Sequence, residues 1–150
     1  MSTITLDEIQ ARQTELAALI EQYRTQTSQR LIEVPGTTIV LQEGEHYAGS
    51  TLEDDGLVKH DIVLLAARPD RRMTWQDAMD WAASVGGQLP DRQEQALLFA
   101  NCKQHLQAEW HWSSEEHKEA SYAWSCYFHD GYQTSSHKSY EGCAVAVRRV

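Results

Sequence analysis

The chain has 150 residues, 41% of them hydrophobic, with 13 basic and 22 acidic side chains and a formal net charge of -9. That is one domain, or one domain with an extension, and it holds enough apolar residues for a core. The charge argues against a general nucleic-acid binder, which needs a basic footprint. The longest apolar run, Ile62 to Ala67, is far too short to cross a bilayer.

Thr5-Leu6-Asp7-Glu8 has the form of a capping box, so the spacing predicts a helix starting there. Leu6, Ile9, Gln13, Leu16, Ile20 and Tyr23 recur at alternating steps of three and four, which is a heptad seam with one polar member. The residues between them are mostly polar. Fewer than three full heptads are marginal alone. The seam must pack on its own domain or on a copy of itself, as a dimer or a trimer, and Gln13 would then set the register. Thr25 to Arg30 is polar and reads as a linker. The expected organisation is therefore a helix and linker over residues 1–30 and an α+β domain over 31–150.

Pro35-Gly36 reads as a turn. Thr37 to Leu41 is rich in β-formers, and Glu43-Gly44-Glu45 turns the chain. His46 to Leu52 and Leu57 to Ala66 form two strand candidates around Glu53-Asp54-Asp55-Gly56, where Asp-Gly marks a hairpin. Ile62 to Leu65 is continuously apolar, as in a strand buried on both faces. Thr74 is a candidate N-cap. Trp75, Ala78, Trp81, Ala82 and Val85 give the next helix an apolar face, and Gly86 and Gly87 stop it. Leu89 drops inward, Pro90 blocks continuation, and Asp91 with Glu94 forms a second capping box. Ala96, Leu97, Phe99 and Ala100 are expected as the apolar surface of the following helix, which fades near His105 to Ala108.

Trp110 to Ser114 reads as a strand with both tryptophans on one face. In the strand candidate Ser121 to His129, Tyr122, Trp124, Cys126 and Phe128 share one face, expected to be the core face. Asp130-Gly131 is a turn. Tyr132 to Lys138 is expected as a loop or edge, and Ala144 to Val150 as a terminal strand.

The string Gly86-Gly87-Gln88-Leu89-Pro90-Asp91-Arg92-Gln93-Glu94 resembles the GG-x-LP-[T/S]-R-x-E signature of Lcl C-terminal-type domains, found in bacterial and prophage proteins. Trp110 to Ser114, Ala123-Trp124 to Phe128, Gly131 and Ala146 to Val150 follow in that family's order. The resemblance covers Thr74 to Val150. It implies a C-type-lectin-like α+β domain with two helices and antiparallel strands, similar to the formylglycine-generating-enzyme superfamily, that binds a protein or a glycan without catalysis.

Sites of chemistry are sparse. Seven histidines occur, but none sits in HExxH or HxH spacing or beside a cysteine at zinc spacing. No phosphate-binding glycine loop and no nucleophile elbow is present. No metal and no cofactor is expected. Cys102, Cys126 and Cys143 are an odd set without CxxC, which suggests free thiols in a reducing compartment. Cys126 and His129 lie three apart, a poor strand spacing for nucleophile and base. The superfamily's oxidase works through a cysteine pair, and Cys126 and Cys143 on adjacent strands would be the pair available for such an enzyme. Neither EPN nor WND, the calcium-lectin tripeptides, occurs.

What remains is a surface. Tyr122, Tyr127, His129, Tyr132, Gln133, Ser135 and His137 crowd one short region, together with Ser136 and Tyr140. Tyrosines among small polar residues make adaptable binding surfaces, and ordinary polar β-edges have the same composition. In phage tropism proteins of lectin-like fold this region carries the binding residues, so the resemblance implies a display surface here. The N-terminus Met1 to Thr5 lacks a basic region and an apolar core, and no signal peptide is expected. The functional expectation is an oligomeric phage or prophage recognition module, in a bacterial host's cytoplasm or on a virion, contacting neither nucleic acid nor membrane. The alternative is an intracellular phage inhibitor whose acidic surface occupies a basic host site.

Overall fold

Helix α1 spans Leu6–Thr27. It opens with the capping box foreseen at Thr5: the Thr5 amide donates to Glu8 Oε2 at 2.9 Å, and the Glu8 amide donates to Thr5 Oγ1 at 3.3 Å. The computed structural model describes residues 3–27, 30–34 and 36–150. Two compact units divide between Glu43 and Gly44. The first unit also holds strands β1 (Arg30–Val34) and β2 (Thr37–Leu41), which pair antiparallel with Arg30 opposite Leu41. Strand β1 belongs to this first unit through its pairing with β2. The expected linker over Thr25 to Arg30 is helix as far as Thr27 and strand from Arg30. Within the expected turn, Pro35 lies outside the described residues, and Gly36 follows with a left-handed φ of 82°.

The second unit contains β3 (His46–Leu52), β4 (Val58–Leu64), α2 (Trp75–Ser84), α3 (Arg92–Cys102), a 3-10 turn at Lys103–His105, β5 (Trp110–Glu116), β6 (Tyr122–Tyr127), β7 (Tyr132–His137) and β8 (Val147–Arg149). Two antiparallel sheets run in the orders β3-β4-β8 and β5-β6-β7. The protein is therefore an α+β fold. No helix among the described residues is long and apolar enough to cross a membrane.

The segment Gly142 to Val147 joins the layers. Ala144 and Ala146 face one apolar cluster with Leu65, Met73, Trp75, Ala78, Ala82, Leu89, Trp112 and Ala123. Val145 and Val147 face the other, with Ala48, Ile62, Leu64, Leu98, Cys102, Cys126 and Phe128. Of the expected terminal strand Ala144 to Val150 only Val147–Arg149 is strand, but the backbone before it is extended, and successive side chains of extended backbone point to opposite faces. The same backbone accepts from and donates to its neighbours: the Leu65 amide donates to Ala146 O at 2.9 Å, and the Trp112 amide to Cys143 O at 3.0 Å. Gly142 lies flat against the Trp110 ring, where a Cβ would collide with three ring carbons. The buried indole N–H groups are satisfied: Trp75 Nε1 donates to Ser113 O at 2.8 Å and Trp112 Nε1 to Met73 O at 2.9 Å.

The corner between α2 and α3 is set locally. Gly86 adopts φ 83°, its amide donates to Ala83 O at 3.1 Å, and the Gly87 amide donates to Ala82 O at 3.0 Å. This is a Schellman stop. Leu89 is 1% exposed. Asp91 caps α3: its Oδ1 accepts from the Glu94 amide at 2.8 Å, and its own amide donates to Glu94 Oε1 at 3.2 Å. Thr74, in contrast, precedes α2 in extended backbone without a side-chain capping bond.

Three expectations about faces are corrected. Ala96 and Ala100 are exposed, while α3 buries Glu94, Gln95, Leu98 and Cys102. Each of the pair has a partner at one end: Arg149 Nη2 donates to Glu94 Oε1 at 2.5 Å, and Gln95 Nε2 donates to His111 O at 3.2 Å, while Gln95 Oε1 is buried with no partner among the described residues. On β6, Ala123 and Ser125 are buried whereas Tyr122 and Trp124 are only half-buried. Arg92 of α3 covers Trp124 on one face, while Tyr127 at the far end of the other face is exposed. Cys126 and Cys143 are not on adjacent strands, because His111 of β5 pairs with Cys126 on one side and bridges Cys143 on the other.

Replacing Leu89 by Ala is expected to cost about 2–5 kcal/mol, and Asp91→Ala about 1 kcal/mol through the lost cap. Gly142→Ala should cost about 1–3 kcal/mol by overpacking against Trp110. Urea unfolding of the three variants measures all of this, and an undiminished midpoint for Leu89→Ala would contradict its place in the core.

Candidate functional site

Pairing in the β6–β7 ladder decides which of the candidate residues meet. Tyr122 lies opposite His137, Trp124 opposite Ser135 and Cys126 opposite Gln133. By alternation these side chains share one face. Around them forms a row of rings: His117 is 5.2 Å from Trp124 and 6.4 Å from Tyr122, Tyr122 is 5.4 Å from His137, and His137 is 6.0 Å from Tyr140, centroid to centroid. Arg92, the first residue of α3, places its guanidinium carbon 3.7 Å from the Trp124 centroid, a cation–π contact. Gln133 holds it there. Arg92 Nε donates to Gln133 Oε1 at 3.1 Å, and Gln133 Nε2 donates to Arg92 O at 2.7 Å.

Both imidazoles in this row have one nitrogen committed. Nδ1 of His117 accepts from the Glu119 amide at 3.2 Å, and Nδ1 of His137 accepts from the Ser139 amide at 3.2 Å. A nitrogen that accepts a backbone N–H carries no proton, so each neutral ring bears its proton on Nε2 and is a donor there. The half-buried face therefore combines aromatic area, imidazole donors and the exposed phenol of Tyr140.

The other three candidates lie apart. Tyr127 pairs with Tyr132 at the far end of the ladder, and Tyr127 stands 6.0 Å from His129. Tyr132 is 64% exposed. The expected set thus splits into Tyr122, Gln133, Ser135 and His137 on one face and Tyr127, His129 and Tyr132 around the turn. Sequence reasoning missed Arg92, His117 and the outward role of Trp124. Arg92 stood in the signature string, but its target is 32 positions further along the chain, and nothing local announces that contact.

The thiols are poorly disposed to nucleophilic chemistry. All three are free and buried. Burial, with Asp130 adding to it, pushes Cys126 up to about 11, and burial also raises Cys102 and Cys143. Thiols held protonated are weak nucleophiles. Cys126 is buried while His129 is exposed. Among the described residues no group of three or more His, Cys, Asp or Glu side chains is arranged to hold a metal ion.

Two layers of antiparallel strands and two helices, carrying a ring-lined face, define the class as a small α+β domain. Residues 67–148 match the model of a family described as a domain of unknown function, DUF8780, and the chain belongs to that family. No curated protein matches the chain.

The buried His111 gives this segment a pH dependence. Burial lowers its pKa from 6.5 to about 4, while Nδ1 stays bonded to Glu109 O at 2.9 Å. The folded protein therefore binds the proton more weakly than the unfolded chain. Stability from this group is fully present above pH 6.5 and is lost as pH falls towards 4, amounting to about 3 kcal/mol. Denaturation at several pH values should show that slope reduced in His111→Phe. An identical slope in the variant would remove His111 as its source.

Proposed function

We infer that the protein is a non-catalytic recognition module whose binding face is the ring-lined end of the β6–β7 sheet. The observation that carries this is Arg92 pinned over Trp124 by Gln133, beside Tyr122, His117 and His137. Such a face offers rigid aromatic area with few rotamers to freeze, and donors at its edges. A C-type-lectin-like fold of the Lcl C-terminal type is supported by the glycine-proline signature and by two helices packed with antiparallel strands. A protein or glycan partner suits the mixture of aromatic and hydrogen-bonding groups, and a phage or prophage setting follows from that resemblance.

Self-association is the second part of the reading. Leu6, Ile9, Leu16 and Ile20 are between 44% and 68% exposed. The seam is then available to a second copy, as a coiled coil in which Gln13 would fix the register. Multivalency would raise weak single-site binding.

Partner candidates should be screened with a glycan array and a host-protein panel, comparing the full chain with Trp124→Ala and His137→Ala. At least one variant is expected to lose about 2 kcal/mol or more of affinity with its circular dichroism intact. Equal binding by both variants would shift the site to the acidic turn at Glu53, Asp54 and Asp55. For assembly, the double variant Leu16→Glu and Ile20→Glu alters only exposed positions. Sedimentation should show the parent associating at tens of micromolar and the variant monomeric; a monomeric parent would end the oligomer reading.

A further inference from the structure

A cavity of about 600 Å³ opens on the second unit, with Arg68, Arg71, Arg72, His105, His111 and Cys143 in its wall. Its size is that of small-molecule sites. Its charge is opposite to that of the whole protein: three guanidinium groups stand in the lining against one carboxylate, Asp70, in a chain of net charge -9. Arg72 pairs with Glu109 at 3.2 Å. Among the described residues no carboxylate comes within ion-pairing distance of Arg68 or Arg71.

Arg68 is fixed in place. Its Nη1 donates to Leu65 O at 2.5 Å and to Ala67 O at 2.9 Å, and its Nη2 donates to His105 O at 3.3 Å. These carbonyls orient the group but leave its charge without a counter-ion. Arg68 and Arg71 are both exposed, so an anion entering the cavity meets two guanidinium groups with no competing carboxylate within ion-pairing distance among the described residues. His111, 2% exposed, adds direction. Its Nδ1 meets a carbonyl and so carries the proton, which leaves Nε2 as an acceptor of a hydrogen bond.

We propose that this cavity binds a small oxyanion, a phosphate or carboxylate head group against Arg68 and Arg71, whose neighbouring hydroxyl donates to Nε2 of His111. The ligand is a hydroxylated small molecule and not a bare ion. Guanidinium forks match the geometry of either head group, and the acceptor at His111 Nε2 favours a ligand whose hydroxyl donates to it in place of water. The cavity shares no lining residue with the ring-lined face, so the two proposals fail separately.

The test is calorimetry on the full chain at neutral pH with two matched pairs, inorganic phosphate against glycerol 3-phosphate and propionate against lactate, and glycerol as the neutral control. One hydroxylated oxyanion should bind saturably, more tightly than its unhydroxylated partner, and the pair that responds identifies the head group. Arg71 is exposed, so Arg71→Gln should keep the fold and weaken that ligand by about tenfold or more. His111→Phe, checked by circular dichroism, should abolish the preference for the hydroxyl and keep affinity for the head group. The proposal is overturned if neither pair binds saturably, if glycerol binds as well as the anions, or if Arg71→Gln leaves the affinity unchanged.

Discussion

The alternation of small and branched residues in Ala144-Val145-Ala146-Val147 governs the second unit. Its alanines admit the tryptophans of α2 and β5 to one side, and its valines fill the layer beneath α3 on the other. Gly142 extends the same logic, since any side chain there would meet the Trp110 ring. A single extended segment that serves two cores has no freedom of register: a one-residue slip would put valine against the indoles and alanine in the deeper layer. The backbone bonds to Leu65, Gln88 and Trp112 lock that register from three directions.

Polar groups in the interior then translate the packing into position. Glu94 is the reciprocal member of the Asp91 capping box and also the partner of Arg149. Burial raises its pKa, and the bond from Arg149 opposes that rise. The ion pair ties the start of α3 to the last strand. Because Arg92 is the first residue of α3, the same corner that ends α2 also delivers a guanidinium to the face of Trp124. The platform is thus a consequence of the Leu89-Pro90 corner and not an independent surface feature.

Electrostatics differ sharply from place to place in this acidic chain. Arg148 pairs with Glu45 at 2.9 Å and Arg149 with Glu94, so the cations of the last strand are neutralised. Those around Arg68 to Arg72 are only partly so. Net charge describes solubility and long-range fields; it says little about a cavity where a few fixed groups lie within several ångströms of one another. The segment matching the family, residues 67–148, contains the whole cavity lining and the ring-lined face, whereas α1 and the β1–β2 pair lie outside it.

Much of the local structure was legible from residues alone. The capping boxes at Thr5 and Asp91, the glycine stop at Gly86, the hairpin at Asp55-Gly56 and the apolar strand end Ile62 to Leu64 are decided by neighbours within four or five positions, through backbone geometry and short-range hydrogen bonds. The free thiols likewise followed from number and spacing. What the sequence could not disclose was which polar residues are buried and which aromatics are half-open. Glu94 and Gln95 look like solvent-facing helix residues until Arg149 and the His111 carbonyl are brought to them from 55 and 16 positions away. Trp124 looks like core until α3 covers only part of its face. Ala96 and Ala100 look like packing surface until the helix is rotated by those buried polar contacts. Periodicity names a face, but only tertiary contacts determine whether that face meets apolar atoms, a charged partner or water, because the free energy of burying a group depends on what it meets there.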